Sequence, residues 1–159
     1  MNNRRSFIVG IRSLKLSSKE KLFLKKYKPW GVILFTRNIK NIEQTLKLTS
    51  SIRNIFNDMR YPIMIDQEGG RVNRLENIIS FDNLTSEYFG RKFVKNLKEF
   101  YIYYKLFIDK TSYLLKSIGV NINTSPVLDL RIKGASNIIG NRSFSRDPKI
   151  VSKIGDYCI

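Results

Sequence analysis

Short apolar runs alternate with stretches of helical periodicity, and this alternation most constrains what the chain can fold into. SFIVGI (6–11), GVILF (31–35), YPIMID (61–66) and VNINTSPVLDL (120–130) read as strands. GVILF is apolar throughout, as expected of a strand covered on both faces. Helical segments lie between these runs. SSKEKLFLKKY (17–27) carries Ser17 as N-cap with Glu20 three residues on, a capping-box spacing. NIEQTLKLTSSIRNIF (41–56) repeats Ile42, Leu46, Thr49, Ile52 and Phe56 at three- and four-residue steps. RKFVKNLKEFYIYYKLFIDKTSYLLKSIG (91–119) predicts one long helix. Its stripe is Phe93, Leu97, Phe100, Tyr101, Tyr104, Phe107, Ile108 and Leu115, and Gly119 stands as its C′ residue.

The order is strand and helix in alternation, with a loop before the long helix. It predicts an α/β fold with a parallel sheet, outer helices and right-handed crossovers. Asp147-Pro148 predicts one further helix, Asp as N-cap and Pro at its first position. That helix reaches Ile159 with no strand after it. The expectation is a single domain over 1–159, cut before its next strand or completed by a partner.

The balance of 29 Lys+Arg against 13 Asp+Glu gives a net charge of +16. Such a charge raises affinity for polyanions. The basic residues are nevertheless spread along the whole chain, and Lys, Asn, Ile and Tyr, all with A/T-rich codons, are abundant together. Mutational bias accounts for the charge, and no specific nucleic-acid partner is expected. The only cysteine is Cys158, so no disulfide forms within the chain and a reducing cytoplasm is compatible. The sequence contains no histidine, which excludes a Ser-His-Asp triad and a histidine-based zinc site within these residues. No membrane span is expected. RRSF (4–7) resembles the start of a twin-arginine signal, but the apolar stretch after it is too short and a first strand is the better reading.

Ligands of parallel α/β folds bind beyond the carboxyl ends of the strands. FTRN (35–38), DQEGGRVNR (66–74), SPVLDL (125–130) and GNRSFSRDP (140–148) all fall there. Asp66, Arg74, Asp129 and Arg142 are thereby expected to meet on one rim, with Arg37 nearby. Carboxylates accept from hydroxyls and arginines donate, so the rim suits a neutral, hydroxyl-rich ligand. Gly69-Gly70 permits positive φ and close backbone approach. Structural roles compete with each assignment. Asp66 could cap the next turn, Glu68 could brace Arg71, Asp129 could fix its loop through backbone N–H groups, and Arg37 could be a plain rim charge. Asp66 and Glu68 stand about 6.6 Å apart on a strand, near the roughly 5–9.5 Å separations of glycosidase carboxylates. A catalytic pair must flank the scissile bond from different sides, however, and two acids on one strand end do not.

GVILFTRNI, YPIMIDQEGGRVNRL, GVNINTSPVLDL and IIGNRSFSRDP resemble successive motifs of the family 3 glycoside hydrolases, in particular the bacterial β-N-acetylglucosaminidases (β-hexosaminidases) of cell-wall recycling. The resemblance runs from about residue 6 to the end. It implies the first four βα units of a (β/α)8 barrel, about half of the catalytic domain. It further implies that Asp66, Arg74 and Arg142 bind the ring hydroxyls of N-acetylglucosamine, with no metal and no cofactor. The family activity is removal of terminal N-acetylglucosamine from 1,6-anhydromuramoyl fragments in the cytoplasm.

In the family, a fifth strand ending in a sugar-binding Lys-His pair, a loop with the acid/base histidine and an aspartate nucleophile come after the motifs seen here. No catalytic residue is therefore assigned within these 159 residues, and the chain alone is expected to be inactive, marginally stable or self-associated. The leading expectation is the N-terminal half of a β-hexosaminidase, an inactive fragment from a split or decaying gene or an interrupted reading frame, with half of a split enzyme that needs a partner chain as one alternative. A non-catalytic sugar-binding module is another alternative, and saturable binding of N-acetylglucosamine would support it. A nucleic-acid-associated protein would show salt-sensitive binding instead.

Overall fold

Four strands, β1 (Arg5–Gly10), β2 (Pro29–Leu34), β3 (Ile63–Ile65) and β4 (Ile122–Asn123), form one sheet in the order β1-β2-β3-β4. Every pairing is parallel, as the strand–helix alternation predicts. The structure is a computed structural model and describes residues 4–134 and 136–158. The chain divides into two units. The first takes the described residues of Met1–Asp66, Arg74–Ile79 and Tyr113–Thr124; the second takes those of Gln67–Asn73, Ser80–Ser112 and Ser125–Ile159.

The sheet belongs to the first unit, with helices α1 (Ser18–Tyr27) and α2 (Ile42–Phe56). Val32, Leu34, Ile63 and Ile65 are fully buried, which explains the unbroken apolar runs of β2 and β3. The register pairs Val32 with Ile63 and Leu34 with Ile65. The capping box of α1 forms as predicted: Ser17 Oγ accepts from the Glu20 amide, and Glu20 accepts from the Ser17 amide at 2.8 Å. Leu24 is the buried residue of α1, a burial that contributes about 2 kcal/mol.

The buried face of α2 differs from the predicted stripe. Ile42 and Leu46 are exposed, while Thr45, Leu48, Thr49 and Ile52 are buried. The threonines tolerate burial because their hydroxyls are satisfied. Thr45 Oγ1 donates to the Asn41 carbonyl at 2.7 Å and Thr49 Oγ1 to the Ile118 carbonyl at 2.9 Å.

The second unit contains α3 (Ser86–Lys95), the residues of α4 (Leu97–Ser117) up to Ser112, and α5 (Pro148–Cys158). The single helix expected over 91–119 is two helices, the first beginning earlier. Thr85 caps α3 by accepting from the Tyr88 amide at 3.0 Å. Asn96 breaks the run: its amide donates to the Lys92 carbonyl at 2.8 Å, and its side chain accepts from the Glu99 amide at 3.1 Å. Phe89, Phe100, Tyr104, Phe144, Val151 and Ile154 form the core of this unit. Leu97 and Tyr101, placed on the stripe from sequence, are exposed.

Gly119 has φ +76 and follows α4 as predicted. The fourth strand shrinks from the expected 120–130 to Ile122–Asn123, because its partner β3 is itself only three residues long. Asp147-Pro148 opens α5, with the Asp147 carbonyl accepting from Ile150 and Val151. The predicted end of that helix at Ile159 lies outside the described residues.

Candidate functional site

In the first unit, Asp66 is the residue after β3 and Thr124 the residue after β4. The Thr124 amide donates to the Ile65 carbonyl at 3.0 Å, prolonging the sheet by one bond. This sets the Thr124 hydroxyl against Asp66, and Oγ1 donates to Oδ1 at 2.6 Å. On the other side, Arg74 Nη2 stands 3.5 Å from Asp66 Oδ2, with both side chains less than a third exposed. Arg74 Nε is buried and makes no hydrogen bond. The Arg74 guanidinium lies 5.4 Å from the centre of the Phe35 ring, and that of Arg37 lies 4.6 Å from the same ring. Phe35 is held by the short 3-10 turn Thr36–Asn38, in which the buried Asn38 accepts from the Phe35 amide at 3.0 Å. Asn38 also donates to the carbonyls of Ile11 and Ser13.

Asp66 thus accepts from a hydroxyl and faces a cation. Its competing role as a turn cap is not among its contacts, which go to Thr124 and Arg74. Arg37 has a structural bond as well, Nε donating to the Ile11 carbonyl at 3.0 Å.

In the second unit, Gly69 and Gly70 have φ +88 and +56, a conformation that glycine permits. A Cβ on Gly69 would lie 2.4 Å from the Leu84 carbonyl oxygen, so close backbone approach is required there as well. Glu68 and Gly69 both donate to the Val72 carbonyl and close the turn. Glu68 then faces Arg142, which donates from Nε to Oε2 at 2.8 Å and from Nη2 to Oε1 at 2.7 Å. Arg142 is carried by the 3-10 turn Gly140–Arg142.

Glu68 thus braces Arg142, and the alternative brace to Arg71 does not form. Arg71 instead donates to the backbone carbonyls of Asn137, Ile138 and Ile139. The planar fork of Arg142 matches the Glu68 carboxylate with two parallel bonds, a stronger geometry than a single contact. Asp129 joins its loop through its carbonyl, which accepts from Ser143 Oγ at 2.7 Å.

Of the residues predicted for the rim, Asp66 and Arg74 are brought together in the first unit, and Arg142 is paired with Glu68 in the second. Thr124 was missed. Its only sequence signal is a hydroxyl at the end of a strand that neighbours β3. Among the described residues no cluster of three or more Asp, Glu or Cys side chains could hold a metal ion, and no helix is long and apolar enough to cross a membrane.

Residues 6–159 match the model of the glycosyl hydrolase family 3 N-terminal domain. A beta-hexosaminidase of Hydrogenovibrio crunogenus is 36% identical over 151 residues, covering 93% of this chain and 41% of the relative. A beta-hexosaminidase of Thioalkalivibrio sulfidiphilus is 29% identical over 151 residues. NagZ from Neisseria gonorrhoeae, solved in complex with N-trifluoroacetyl-D-glucosamine, matches with a TM-score of 0.86 at 30% identity. That match covers 98% of this chain and 45% of NagZ. The chain therefore spans less than half the length of these curated beta-hexosaminidases, 41% in the first case and 22% of a beta-hexosaminidase A of Pseudoalteromonas piscicida.

Proposed function

The chain belongs to glycoside hydrolase family 3, as part of its N-terminal domain, and from that membership we propose that its residues hold the terminal N-acetylglucosamine of a cell-wall glycan for a β-N-acetylhexosaminidase. Asp66, Arg74 and Arg142 contact the ring hydroxyls. The observation that carries this reading is the Asp66 site: a carboxylate already accepting a hydroxyl from Thr124, beside Arg74 and the Phe35 ring. A sugar hydroxyl offers Asp66 the same chemistry as Thr124, and Arg74 supplies a charge-assisted donor. The N-acylated glucosamine bound by the Neisseria NagZ supports the choice of sugar.

Hydrolysis needs an acid/base and a nucleophile. In this reading neither is among the 159 residues, and both come from further sequence or from a second chain. The glycan is a muropeptide of peptidoglycan recycling, and the compartment is the cytoplasm. Completion of the sheet, by further sequence or by a second chain, is supported by one specific feature. Strands β1 and β4 end the sheet, and Ile8 of β1 is 43% exposed, a surface that a further strand would cover.

Titrating the purified chain with N-acetylglucosamine, followed by NMR shifts, tests the binding role. Saturable binding lost in Asp66→Ala is expected; no binding at millimolar sugar by the unaltered chain would overturn it.

A further inference from the structure

Two arginines tie the segments 67–73 and 137–142 together, and they point in opposite directions. Arg142 reaches from the later segment to Glu68. Arg71 reaches from the earlier one, and its Nη2 lies among three consecutive carbonyl oxygens: Asn137 at 2.7 Å, Ile138, and Ile139 at 3.0 Å. These are the last residues before the 3-10 turn Gly140–Arg142. The Ile139 carbonyl held by Arg71 also accepts from the Arg142 amide at 2.8 Å. The Ile138 carbonyl accepts from Arg142 Nη1 at 3.3 Å, so the two arginines share an acceptor. Gly140 takes φ +47, and a Cβ there would lie 3.4 Å from Arg71 Nη2. The guanidinium therefore passes directly over the residue that begins the turn.

Three carbonyl dipoles converging on one point repel one another unless a cation or donor sits between them. The stretch before the turn has no regular secondary structure to order it, so the entropy of fixing it must be offset by such contacts. We propose that Arg71 is a positioning residue for Arg142. By gathering the 137–139 carbonyls it fixes the start of the turn that delivers Arg142 to Glu68, and with it the direction of the Arg142 guanidinium. The role in sugar binding rests on the proposed function; the effect on Arg142 does not.

The test separates the two. In the sugar-free chain, the Arg142 Nε–H signal reports the bidentate bond through its exchange with solvent. Arg71→Met is expected to accelerate that exchange, and to weaken N-acetylglucosamine binding, by about tenfold each, the loss of one charge-assisted bond. Arg71→Lys, which keeps a cation with three donors, is expected to recover much of both. If Arg71→Met does not fold, Arg71→Gln is read in its place. Unchanged Arg142 exchange in a folded, less stable variant would reduce Arg71 to a plain loop stabiliser and overturn the proposal. Absence of sugar binding by the unaltered chain would instead overturn the proposed function and leave the exchange result to decide the role of Arg71.

Discussion

Arg142 holds Glu68 through two parallel hydrogen bonds, Nε to Oε2 at 2.8 Å and Nη2 to Oε1 at 2.7 Å, with 7% of the Glu68 side chain exposed. The residues are 74 apart in sequence. Glu68→Gln keeps the shape but turns one acceptor into a donor facing a donor. It should destabilise the chain by about 2 kcal/mol, less than a fully buried pair because Arg142 is partly exposed. Urea denaturation will measure this as a lower midpoint at constant slope.

Gly90 of α3 packs against the Phe144 backbone so closely that an added Cβ would stand 1.8 Å from the Phe144 carbonyl oxygen. Neither backbone can yield cheaply. Gly90→Ala is expected to cost about 3 kcal/mol or more, at the upper end of overpacking effects. Normal expression with an unshifted melting temperature would show that this approach is looser than the structure has it.

Tyr61 is fully buried, donates to the Pro29 carbonyl at 2.9 Å and stacks on Phe56. Burial pushes its phenol from 10 up to about 12, against a small opposing pull from Arg4. The folded state therefore keeps a proton that the unfolded chain releases near pH 10. The stabilisation is fully present below pH 10 and is lost as pH rises towards 12. Tyr61→Phe should lose about 1 kcal/mol at neutral pH through the missing hydrogen bond. It should also flatten the decline of stability above pH 10, read from denaturation curves across that range.

The purified chain is expected to release no chromophore from an aryl N-acetylglucosaminide. It contains no histidine, and Asp66 and Glu68 are engaged with Thr124, Arg74 and Arg142. Turnover above that of a mock preparation would refute this. Activity appearing on mixing with a polypeptide that carries the rest of a family 3 domain would support completion by a second chain.

Much of the framework was legible because its signals are local. Ser17 and Glu20 are three residues apart and cap α1 without help from elsewhere. Asp147-Pro148 opens α5 by the same kind of short-range bonding. The break at Asn96 was not legible, since the apolar spacing runs through it and one asparagine both ends α3 and caps α4. Nor was the rotation of α2, whose buried Thr45 and Thr49 look polar until their acceptors are known.

By itself, the sequence determined the strand–helix alternation, the caps of α1 and α5, the freedom of Gly69-Gly70 to take positive φ and the lack of a histidine for acid/base work. These depend on sterics and hydrogen bonds within a few residues, or on composition alone. Tertiary structure alone decided that Glu68 takes Arg142 and that Arg71 turns to the 137–139 carbonyls. The charges of Glu68, Arg71 and Arg142 allow either pairing. The choice depends on which loops are brought within reach, and the entropy of closing those loops is offset by the packing of the elements that carry them together with the contacts the loops then make.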